Sequence, residues 1–229
     1  YMAWQQVELF EFGPGSKYVI RSYFNIYPTN VEGILENINS GNANLDLNSS
    51  FARQGFPALD YLLNGVGEND NAIVSYYTTG PDAEKRIAYL NKIIDKMEAV
   101  LSSVTKEWNG AARDEFISKT GLDIGSSTGK VVNAYVLYYE RYLRSAKIGI
   151  PAGAMASSIS PERVEAFYKK DISTPLARAA HNAAVDFFNG VDYMTKTQGT
   201  SFKSYLDALQ AKDVDTGELL STTINNQFT

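Results

Sequence analysis

The 229-residue chain contains no cysteine and a single histidine, His181. Without cysteine there can be no disulfide, thiolate metal site or cysteine nucleophile. With one histidine, a zinc centre of the usual kind is short of ligands, because such centres draw on several imidazoles or thiolates. Zinc is therefore not expected. No apolar run approaches the roughly 18 residues that cross a bilayer. Basic clusters are also missing, the densest groups being ERYLR and FYKKD, and the formal net charge is −5. That balance argues against nucleic acid as a partner, since such binding is driven by phosphate neutralisation. GSSTGK at 125–130 is not a phosphate loop: its gap is too short, Val131 follows the lysine, and no strand precedes it.

What the chain has in quantity is helical periodicity. Ala3, Trp4, Val7 and Phe10 fall at helical spacing before a GPG stop. Residues 16–30 are aromatic and irregular, with YVIRSYF the one stretch resembling a strand. VEGILENI reads as a short helix, and 66–80 as a polar loop. After Pro81 a long helix places Ile87, Leu90, Ile94, Met97, Leu101, Val104 and Trp108 on one face. Glycines at 121, 125 and 129 break the chain before KVVNAYVLYYERYLRSAKIG, another long helix. SPERVEAFYKK reads as a helix capped by Ser160, and further helices follow from 174, from Thr200 or Ser201, and from Val214. The expected fold is all-α, with antiparallel helical bundles forming two four-helix-bundle-like halves, residues 1–110 and 111–229.

Five segments, in order, carry a resemblance: AWQQVELFEFGP, QGFPALDYLLNG, RSAKIGIPAG, VEAFY and SFKSYLDAL. Together they resemble the imelysin-like family of bacterial cell-envelope proteins over nearly the whole chain. The resemblance implies an all-helical fold and a place in the periplasm or on the outer membrane, with membrane attachment only through a lipid anchor outside this chain. It implies a link to iron uptake, with an iron species or an envelope receptor as partner, or else a metallopeptidase activity. The family's hallmark is Gly-x-His-x-x-Glu. Here those positions are Gly55, Pro57 for the histidine, and Asp60 for the glutamate. A His and a carboxylate at i and i+3 share a helix face and can grip a metal together. Proline offers neither donor nor lone pair. The expected function is thus a non-catalytic binding or accessory component with no catalytic residues. The alternatives are the family's metallopeptidase and a structural or interaction module without a small ligand.

For a metal the candidates are Asp60, Glu8 and Glu11, a carboxylate set suited to iron or calcium; the cofactor itself is unknown, with iron compatible. The bland readings are a helix cap for Asp60 and a solvated face for the glutamates. The tyrosines at 135, 138, 139 and 142 form a stripe that could face a ferric ligand, though inter-helix packing explains it as well. Arg141, Arg144 and Lys147 read as the polar side of the same helix, complementing its C-terminal dipole. His181, on an Ala-rich helix, reads as a packed or surface residue.

Overall fold

The structure, a computed structural model, describes residues 1–121 and 123–228. Its α-helices are α1 (Trp4–Val7), α2 (Pro14–Lys17), α3 (Ile20–Phe24), α4 (Val31–Ser40), α5 (Gly55–Asp60), α6 (Asp70–Thr78), α7 (Ala83–Trp108), α8 (Ala111–Ser118), α9 (Ser127–Leu137), α10 (Ser173–Asn189), α11 (Phe202–Ala208) and α12 (Leu220–Gln227). Two of them run on as π-helix, α5 through Tyr61–Gly65 and α9 through Tyr138–Gly149. Short 3-10 turns occupy Asn48–Arg53 and Pro161–Arg163. Among the described residues no strand forms, only two isolated bridges. The fold is all-α.

Two compact units make up the chain. The larger is Phe10–Pro175; the smaller combines Tyr1–Leu9 with Leu176–Thr229. This division differs from the expected halves 1–110 and 111–229. Across the 110/111 boundary α7 and α8 belong to one core, because Trp108, Phe116 and Phe12 pack ring against ring at centroid distances of 5.6–5.8 Å.

In the larger unit α7 is the hub against which α2 to α6 and α8 pack. Its buried line is Tyr89, Ile93, Met97, Val100 and Val104. Ile87, Ile94 and Leu101, expected on the core face, are 44%, 45% and 42% exposed. Both rows have helical spacing, so periodicity alone could not choose between them; the surrounding helices did.

Several short elements also differ from the sequence reading. Residues 18–24 form no strand; Ile20–Phe24 are helical. Within 66–80 a helix forms, started by the Asn69 side chain, which accepts the Ala72 amide at 3.0 Å. SPERVEAFYKK stays helical only over Pro161–Arg163. Beyond that, Ala166 and Lys170 adopt positive φ (56° and 57°), and the segment's amides find other partners.

The smaller unit is built on α10, whose Leu176, Ala180, Ala183, Ala184 and Phe188 are buried. His181 faces the end of α12: its Nε2 lies 3.0 Å from the Phe228 carbonyl oxygen, to which it donates, and the two rings meet edge to face. Its role there is to tie two helices together.

Candidate functional site

Gly55, Pro57 and Asp60 sit at the start of α5, where the chain turns sharply out of the 3-10 segment. Gly55 has φ +75°, and a Cβ built on it would stand 2.4 Å from the Phe24 carbonyl oxygen. Only glycine tolerates both the left-handed backbone and that approach. Pro57 lies in the first turn, where its missing N–H costs nothing. GFPALD is therefore a helix start.

Three residues beyond Pro57, the Asp60 carboxylate points into backbone. Its Oδ2 accepts the Tyr168 amide at 2.8 Å and its Oδ1 the Lys169 amide at 2.9 Å. Asn64 Nδ2 adds a third contact to Oδ1 at 3.2 Å. Two consecutive main-chain N–H groups closing on one carboxylate form an anion nest within the protein. This accounts for the irregular 164–170 segment: its amides serve Asp60 instead of a helix. Burial pushes the Asp60 carboxyl above the usual range, against the pull of these amides, Asn64 and the Lys169 charge.

Asp60 and Pro57 line a cavity of about 210 Å³ together with Tyr27, Pro28, Glu162 and Phe167. Ligand pockets usually measure about 300–1,000 Å³, so this space suits a few waters or a very small molecule. Next to it in sequence, Glu165 anchors a buried polar group. It accepts from Asn25 Nδ2 at 2.7 Å and from Lys147 Nζ at 2.9 Å, with the Lys147 and Glu165 side chains 1% and 2% exposed.

The sequence reading placed Lys147 on the polar side of its helix. It is buried instead, and the reason is geometric. Tyr138, Leu143 and Lys147 are the buried side chains of the π-helical stretch. At roughly 4.4 residues per turn, positions nine apart return to the same face, whereas in an α-helix they fall on opposite faces. Arg144 does stay on the surface, paired with Glu140. In the tyrosine stripe, Tyr138 is buried and Tyr135 stacks on Tyr139 at 6.5 Å, which is packing. Burial holds the Tyr135 hydroxyl far above its ordinary pKa.

Two further carboxylates, Glu8 and Glu11, were expected as metal candidates. Glu11 hydrogen-bonds the Tyr142 hydroxyl, whose ring also carries the Arg21 guanidinium 3.7 Å from its centroid. Glu8 belongs to the smaller unit and is 1% exposed. Among the described residues no three His, Cys, Asp or Glu side chains gather as metal ligands would. At the motif itself the donor set is one carboxylate already engaged by three N–H donors, beside a proline. Those residues do not make a metal centre.

Sequence comparison agrees with the motif order. A family model described as Imelysin, of the M75 peptidase class, matches residues 1–226. The chain belongs to the imelysin family. Neither a curated protein nor a solved structure matches it. At Gly55, Pro57 and Asp60 the chain thus has a glycine, a proline and a carboxylate that holds backbone.

Proposed function

We propose that this imelysin is a non-catalytic binding or accessory component of the bacterial envelope, serving iron uptake from the periplasm or the outer membrane. The observation that carries the reading is the Asp60 nest: both carboxylate oxygens are occupied by the Tyr168 and Lys169 amides, three residues after a proline that cannot ligate. Metal-assisted hydrolysis needs an open coordination position, an activated water and a base within reach of it. A carboxylate committed to two amides supplies neither the position nor the base. The protein acts through what it binds, an iron species or an envelope receptor. No helix among the described residues is long and apolar enough to cross a membrane.

The test is digestion of an unstructured protein substrate with zinc, ferrous iron, calcium or cobalt added, each with a chelator control. The expected result is no chelator-sensitive cleavage, together with retention of an envelope complex of iron uptake in a pull-down. Chelator-sensitive cleavage lost in Asp60→Asn would overturn the reading and favour the metallopeptidase.

A further inference from the structure

A second cavity, in the larger unit, shares no lining residue with the one beside Asp60. It measures about 750 Å³, within the range of small-molecule pockets. We propose that it binds a small aromatic carboxylate. The base of the cavity is aromatic: Phe12, Trp108 and Phe116 stand at mutual centroid distances of 5.6–5.8 Å, two of the three pairs edge to face. Gly13 lets the main chain run over the indole; a Cβ there would lie 3.0 Å from Trp108 Cζ2, on a backbone of φ +52°. Rings arranged this way leave faces and edges for a further planar group.

The lining supplies the sign of the ligand. Four lysines (17, 106, 119 and 130) line the cavity against two glutamates, in a chain whose net charge is −5. Lys17 is tied to Glu107 and Lys119 to Glu115. Lys106 and Lys130 are exposed; neither closes an ion pair among the described residues, though Lys130 helps Lys119 hold the Glu115 carboxyl low, so the four lysines outnumber the two glutamates by two. Two positive charges are thus left over an apolar base. The start of α8 adds to them: Gly110 has no side chain with which to cap it, and Ala111 and Ala112 line the same space. Lysine ammonium groups act as point charges, and the cavity has no arginine to fork onto a phosphate. A carboxylate on a ring meets both features, with its charge at the lysines and its ring on the aromatic base.

The experiment is ligand-observed NMR of the purified protein with 2-naphthoate and its uncharged analogue 2-naphthamide, repeated with Lys106→Glu/Lys130→Glu. Both lysines are exposed, so the double variant keeps its fold, checked by circular dichroism. Saturable naphthoate binding is expected, weakened by salt as exposed charges are screened. The amide and the double variant are each expected to show at least ~tenfold lower affinity. Absent saturable binding, equal binding of the amide, or unchanged affinity in the double variant would each overturn the assignment.

Discussion

Removing the Glu165 carboxylate takes an ion-pair partner from a buried charge, and the structure sets the size of the effect. Lys147 Nζ sits 2.9 Å from Glu165 Oε2 with 1% and 2% of the two side chains exposed, and Asn25 donates to the other oxygen at 2.7 Å. Breaking one partner out of a buried ion pair costs about 3–5 kcal/mol, because the remaining charge keeps its desolvation penalty and loses its compensation. Glu165→Ala should therefore destabilise by about 4 kcal/mol. At about 2–4 °C per kcal/mol for a chain of this size, the melting temperature falls by roughly 8–16 °C. Lys147→Met should cost a similar amount, since it removes the ammonium 2.9 Å from the buried carboxylate. The double variant is the decisive arm. With both charges gone, most of the second penalty disappears, and the coupling in the cycle should reach at least ~2 kcal/mol. Thermal and urea unfolding of the four proteins measure it. If the two single costs simply add, the charges are solvated and the buried pair is not what holds the 164–170 segment against α9's π-helical extension.

Two other expectations follow from local geometry. Gly55→Ala places a Cβ against the Phe24 carbonyl on a left-handed backbone, and should cost at least ~3 kcal/mol in urea unfolding; near-neutrality would mean the turn into α5 is looser than described. In the smaller unit, Asp192 and Asp213 receive hydrogen bonds first from the amides of Thr195 and Thr216, which hold their carboxyls below the usual value. A depressed folded pKa gives stability that is present above the unfolded value near ~3.9 and is lost as pH falls through the lower folded one. Carboxyl carbon NMR should find both titrating below that value, with the Thr195 and Thr216 amide shifts following the same curves; ordinary values at both sites would refute the assignment.

Helix content and the long α7 were legible because they rest on periodicity and on Pro81, which act locally. That position 57 offers no metal ligand was legible from one residue, Pro57. What the Asp60 carboxylate does instead was not. Its partners are main-chain amides 108 and 109 residues away, and no pattern in the sequence marks an amide as a partner. VEAFYKK even carries a helical pattern that the nest overrides. Lys147 was misplaced for a different reason: α-helical counting puts it on the surface, and only the π-helical winding turns it inward. Its partner Glu165 lies in the same overridden segment. The exposed row on α7 shows the limit from the other side, since two apolar rows share one helix and packing selects between them.

The Asp60 carboxylate holds protein backbone, which leaves it no role as a metal ligand. Thermal unfolding of wild type and Asp60→Ala, each in chelator and with ferrous iron, ferric iron, zinc or calcium, tests this most directly. Two charge-assisted hydrogen bonds to amides, at about 1.5–3 kcal/mol each, make a loss of at least ~3 kcal/mol, or roughly 6–12 °C. Asp60→Ala should show that loss at the same size with chelator and with every metal. A saturable stabilisation of the wild type by one metal, absent in Asp60→Ala and erased by chelator, would contradict it.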